Sequence, residues 1–94
     1  MSNLPDSLPT TADQTITVKA QLTALPAGPN GILVTAHPLN APGTIIRVGD
    51  SNVSATRGQP FVPGASYTFG ISNASGLYAI SETGVAAKLC AEAV

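Results

Sequence analysis

From Thr15 to Thr23 apolar and polar residues alternate without a break. Ile16, Val18, Ala20 and Leu22 fall on one parity, and Thr15, Thr17, Lys19, Gln21 and Thr23 on the other. Such a period of two predicts a half-buried β-strand. PAGPNG at Pro26–Gly31 follows as dense turn chemistry, because Pro fixes φ and Asn-Gly tolerates positive φ. Ile32, Val34 and Ala36 then point one way and Leu33, Thr35 and His37 the other, until Pro38 ends the ladder. After the turn Asn40–Gly43, Ile46 and Val48 share a face in a strand over residues 44–48 that Gly49 breaks. Val53–Thr56 is expected to pair briefly, and Phe61-Val62 forms a short apolar pair before Pro63-Gly64.

Tyr67, Phe69 and Ile71 alternate with Ser66, Thr68 and Gly70, and a strand over residues 77–81 is built around Tyr78 and Ile80. The final run sets Val85, Ala87, Leu89, Ala91 and Ala93 against Ala86, Lys88, Cys90 and Glu92. Alanine favours helix, yet the apolar set recurs at two and not at three and four, which predicts a strand. The expected interior is Ile16, Val18, Val34, Ile46, Val48, Phe69, Ile71, Tyr78, Ile80 and Leu89. Six or seven short strands with regularly spaced turns and no helical periodicity predict an all-β fold, a small antiparallel β-sandwich or barrel.

Residues 1–13 lack this alternation. Pro5 and Pro9 sit among four Ser or Thr, and Pro9 stops the Leu4–Leu8 spacing from extending into a helix. The expected organisation is an extended N-terminal arm at 1–13 and one β-domain at 14–94, since 94 residues supply one modest core. Charged residues make up 10% of the chain, against the roughly 25% usual in soluble domains. Polarity comes instead from eight Ser and ten Thr. A surface of that kind repels its neighbours weakly and suits a molecule packed among copies or partners. Lys19, Arg47, Arg57 and Lys88 are scattered, so no basic cluster exists to neutralise phosphates and nucleic acid is not an expected partner. No apolar run has the length of a membrane span, and the N-terminal residues have neither the basic nor the apolar region of a signal peptide.

Gly49-Asp50-Ser51 matches the triplet that carries the nucleophile in one esterase class. That chemistry needs a His to take the serine proton, an acid to orient the His and donors for the oxyanion. His37 is the only histidine, and the residues around Ser51 spell a β-turn in which Asp50, Ser51 and Asn52 bond local backbone. No catalytic residue is therefore assigned. The five acidic residues never fall at ligand spacing and Cys90 is the single cysteine, so neither a metal site nor a cofactor is expected. Cys90 reads as a small side chain in the last strand. Asn52-Val53-Ser54 and Asn73-Ala74-Ser75 match the glycosylation sequon only as any Ser-rich chain would. The four aromatics read as core rather than as a sugar-binding platform.

The run from Ile45 to Gly84 resembles a pattern in small virion-associated proteins of tailed bacteriophages. Its elements are Val48-Gly49, the Ser51-Asn52 turn, Val53-Ser54, Gly58, Phe61-Val62, Pro63-Gly64 and the segment Leu77–Ser81. The resemblance implies a non-enzymatic β-domain of a phage particle, a decoration or cement protein that stabilises the capsid surface. It would be made in the host cytoplasm and located in the virion. The implied partners are the major capsid protein and copies of the chain itself, with trimers expected near three-fold positions. Within the arm, Leu4, Pro5, Leu8 and Pro9 are the expected partner-binding residues, because an extended segment crosses a large surface with few residues. The alternatives are a carbohydrate- or host-binding module of a head or tail fibre, and a structural component of the neck or tail.

Overall fold

The computed structural model describes residues 11–94, which form two four-stranded antiparallel sheets packed face to face. The strands are β1 (Thr11–Ile16), β2 (Ala20–Gln21), β3 (Ile32–Ala36), β4 (Ile46–Gly49), β5 (Gln59–Phe61), β6 (Ser66–Phe69), β7 (Tyr78–Ser81) and β8 (Ala87–Ala93). The first sheet has the order β1-β8-β3-β6 and the second β2-β7-β4-β5. The expected sandwich is present, and its edges are joined by the chain itself. On one side β1 passes to β2, and on the other β5 passes to β6, each step crossing between sheets.

That first crossing corrects the nine-residue strand expected over 15–23. The ladder with β8 runs from Thr11↔Glu92 to Ile16↔Ala87 and stops, and Ala20↔Ala79 opens a new ladder in the other sheet. Ile16 and Leu22 are both buried, but from different sheets, and Val18 lies exposed on the bend between them. Thr11–Asp13, expected in the arm, are ladder residues of β1. Leu4, Pro5, Leu8 and Pro9 lie outside the described residues.

β3 and β8 carry the core as the alternation predicts, with Ile32, Val34, Ala36, Ala87, Leu89 and Ala91 all buried. β7 is the second correction. Its register sets Ile46 opposite Ser81 and Val48 opposite Ala79, and opposed residues share a face. Because Ile46 and Val48 point inward, Ala79 and Ser81 do so too, and Tyr78 and Ile80 occupy the outer face half-buried. The hydroxyl of Ser81 is satisfied inside by donating to the Val85 carbonyl at 2.6 Å. Phe69 and Ile71 are partly buried against the core, whose largest fully buried side chain is Phe61 of β5. The Phe61 and Phe69 rings stack at 6.3 Å across the gap between the sheets.

Strand directions define two poles. Segments 17–19, 37–45, 62–65 and 82–86 connect strands at the first, while 22–31, 50–58 and 70–77 do so at the second. Thr11 and Val94 lie at the second pole.

Candidate functional site

Ser51 and His37 follow strands that run in opposite directions relative to the poles, Ser51 after β4 at the second and His37 after β3 at the first. The only imidazole of the chain is thus at the far end of the sandwich from the serine. Ser51 sits in a turn where the Asp50 carboxylate accepts the Asn52 N–H at 2.8 Å and the Asp50 carbonyl accepts the Val53 N–H at 3.0 Å. The Lys19 ammonium donates to the Ser51 carbonyl at 2.8 Å. The turn that the composition predicts is present, with Asp50 as the one side chain of the three that bonds local backbone.

Cys90 lies on the outer face of β8 between Asp13 and Thr35 of the flanking strands. Burial, a hydrogen bond to Asp13 and the charges of Asp13 and Glu92 push its thiol from 9.0 up to about 11. That environment suppresses the thiolate. Among the described residues no group of three or more His, Cys, Asp or Glu is placed to hold a metal ion. Phe61 is buried, Phe69 and Tyr78 are partly so, and Tyr67 alone is more exposed than covered.

What one end of the sandwich exposes is aliphatic. Among the described residues five large hydrophobic side chains are exposed: Leu39 at 86%, Val18 at 75%, Val62 at 55%, Tyr67 at 53% and Val85 at 51%. The four aliphatic ones lie in the four connections of the first pole, one in each, and Tyr67 is the second residue of β6 next to it. Scattered exposed apolar residues are ordinary on a protein surface; their confinement to one pole is not.

These side chains stand on fixed backbone. Asn40 clamps loop 37–43 to β8, accepting the Lys88 N–H at 2.9 Å and donating to the Lys88 carbonyl at 3.0 Å. His37 adds its own N–H to the same carbonyl, and its Nδ1 accepts the Leu39 N–H at 3.1 Å. Leu39 is therefore held outward at the rim of an open groove of about 420 Å³, lined also by Thr15, His37, Asn40, Ala86 and Lys88. Val62 opens a turn in which the Ala65 N–H returns to the Val62 carbonyl at 2.9 Å, with Pro63 second and Gly64 third at φ 87, the type II pattern. Val85 is anchored through its carbonyl to Ser81, and the bend carrying Val18 through the Thr17 carbonyl to the Ser81 N–H. Of the charged side chains near this pole, Lys88 stands exposed at the groove and the others are engaged. Glu82 pairs with Arg47 at 2.9 Å, and Lys19 is engaged by Ser51.

Sequence reasoning missed this surface. Phe61-Val62 reads as one apolar unit, yet only Phe61, the last residue of β5, turns inward, and Val62 opens the turn that follows. The available signal was Leu39 and Val62 lying beside prolines in turn segments, outside any alternation that could bury them. Compared with known proteins, the chain matches no family model, no curated protein and no solved structure.

Proposed function

We propose that this chain is a structural, non-enzymatic protein of a tailed-phage particle that decorates the capsid surface and seats on the shell through its first pole. The observation that carries this reading is the set of Val18, Leu39, Val62 and Val85, each exposed at the same end of the sandwich on backbone fixed by hydrogen bonds. The resemblance of Ile45–Gly84 to virion-associated proteins supports the setting.

The magnitudes favour a protein that works in many copies. Burying one Val or Leu side chain contributes roughly 1.5–3 kcal/mol. Four of them give on the order of 6–12 kcal/mol, which the estimated 4–15 kcal/mol association cost largely offsets. A single pole is then a weak ligand, and a second point of attachment raises avidity without a larger interface. On this reading the N-terminal arm supplies it. Ten residues precede Thr11 and reach up to roughly 33–36 Å when extended. The six-residue β1 spans only about 20 Å, so an arm starting at the second pole has length enough to pass along the sandwich to a neighbouring capsid subunit. Leu4 and Leu8, with Pro5 and Pro9 between and after them, are its anchors.

The test mixes purified protein with capsids assembled without it, from the phage that carries the gene, and counts bound copies. Deleting residues 2–10 spares β1 and should lower occupancy while leaving the unfolding midpoint nearly unchanged. Equal occupancy removes the arm from the mechanism, and no binding by the complete chain removes the capsid. A copy number of only a few per particle would favour the neck or tail instead.

A further inference from the structure

We propose that the outer edge of β6 pairs with the same strand of a second copy, antiparallel and centred on Thr68, giving a two-fold dimer with one continuous eight-stranded sheet. This rests on the fold alone and not on the capsid reading.

The edges of the sandwich differ in how they are protected. β5 carries Pro60, which has no N–H to offer a partner strand, and β2 is two residues long. β1 has Asp13 along it. Its Gln14 side chain bridges the sheets, accepting the Thr23 N–H at 2.9 Å and donating to the Gln21 carbonyl at 3.0 Å. β6 has none of these devices. It reads Ser-Tyr-Thr-Phe, with Ser66, Tyr67 and Thr68 exposed, and no charged residue occurs anywhere in residues 58–81. Two such edges meet without repulsion.

Hydrogen-bond parity selects the register. Gly64 and Ala65 both oppose Ala36, with the Gly64 N–H donating to the Ala36 carbonyl and the Ala36 N–H to the Ala65 carbonyl, each at 2.9 Å. This is a bulge with glycine at its left-handed position, and it pins the start of the β3 ladder, which continues from Thr35↔Ser66 to Ile32↔Phe69. Bonded and non-bonded pairs alternate along an antiparallel ladder. Tyr67 and Phe69 therefore turn their backbone groups toward β3, and Ser66, Thr68 and Gly70 turn theirs outward. None of those three engages another described residue outside that ladder.

Centring the dimer on Thr68 makes Thr68↔Thr68 a bonded pair on the outer face and sets Ser66 opposite Gly70 on both sides of the axis. Tyr67 of each copy then lies opposite Phe69 of the other in non-bonded pairs, where side chains approach most closely. The half-exposed Tyr67 gains an aromatic partner and extends the cluster it forms with Phe69, whose ring is 5.0 Å away edge-on. The contact is isologous and closes at two copies, in place of the three-fold arrangement expected from the sequence. Five residues per copy make a small interface, so association is concentration-dependent.

Disulfide trapping reads this geometry directly. A bonded antiparallel pair has Cα atoms about 5.5 Å apart, inside the disulfide range of about 4.4–6.8 Å. In a Cys90→Ser background, Thr68→Cys should form covalent dimers under mild oxidation several-fold faster than Thr15→Cys on the opposite edge. A companion measurement needs no cysteine: Thr68→Lys should lose the concentration-dependent association seen by sedimentation while keeping the parent's circular dichroism. Equal cross-linking at positions 68 and 15 would overturn the proposal, as would unchanged association of Thr68→Lys. So would loss of association on deleting residues 2–10 while Thr68→Lys associates normally. Because no capsid is used, this result is independent of whether the capsid reading holds.

Discussion

The two poles of the sandwich are built from similar residues and dispose of them in opposite ways. Segments at the second pole contain Leu22, Leu25, Val53, Ala74 and Leu77, all buried, and Ile71, which is partly buried. Segments at the first contain Val18, Leu39, Val62 and Val85, all exposed, and Ile45, which is half-buried. The second pole is closed by bonds that draw the chain inward. Asn73 caps a 3₁₀ turn at Ala74–Gly76 and accepts N–H groups from both Leu25 and Ser75 at 3.0 Å, and Ala74 returns its N–H to the Leu25 carbonyl. Gly31 completes the closure at φ 111, where a Cβ would lie 2.2 Å from the Phe69 carbonyl oxygen. At the first pole the bonds are fewer and hold loops on the rim, with their aliphatic side chains outward. Apolar residues at the second pole serve folding; those at the first contribute little to it and are free to serve binding.

Paired substitutions sharpen that contrast. Leu25→Ala should destabilise the fold by about 2–5 kcal/mol, whereas Leu39→Ala should stay within about 0.5 kcal/mol of the parent. Urea unfolding measures both, and comparable losses would erase the distinction between the poles. The asparagines provide a subtler pair. Asn73→Ala strands a part-buried Leu25 N–H and should cost about 1–3 kcal/mol. Asn40→Ala frees backbone groups of Lys88 that water can solvate, and about 0.5–1.5 kcal/mol is expected. A larger loss at Asn40 would mean that the first pole also carries the fold.

The smallest effect is expected at Cys90, midway along β8. The folded chain holds the thiol proton more tightly than the unfolded chain does. The corresponding stability is complete below pH 9.0 and falls as pH rises toward about 11. Alkylation by iodoacetamide should follow a titration centred near 11 in the folded protein. A midpoint at or below 9.0 would contradict the placement of Asp13 beside it.

β3, β4 and β8 were legible because each keeps one parity against a continuous interior. β7 was not, since its larger side chains, Tyr78 and Ile80, lie on the outer face and the inward places go to Ala79 and Ser81. Hydrophobicity ranked the wrong parity first; only the pairing with Ile46 and Val48 reveals the right one. The β1–β2 crossing was hidden for a related reason. Alternation across residues 15–23 is unbroken even though the chain changes sheets, because Ile16 and Leu22 reach the same core from opposite layers. Leu25 and Val53 lie in turn-rich segments where no period marks a residue as buried. The turn around Ser51 was legible through Asp50, whose carboxylate bonds the backbone two residues on; the Ser51 and Asn52 side chains, expected to do the same, make no such bond, and Lys19 binds the Ser51 carbonyl instead.

The most direct test of the first pole as a docking surface is the occupancy of undecorated capsids by the triple variant Leu39→Ser, Val62→Ser, Val85→Ser, measured beside its urea unfolding midpoint. Occupancy should collapse while the midpoint stays close to that of the parent. Undiminished occupancy by a variant that remains folded would contradict the assignment.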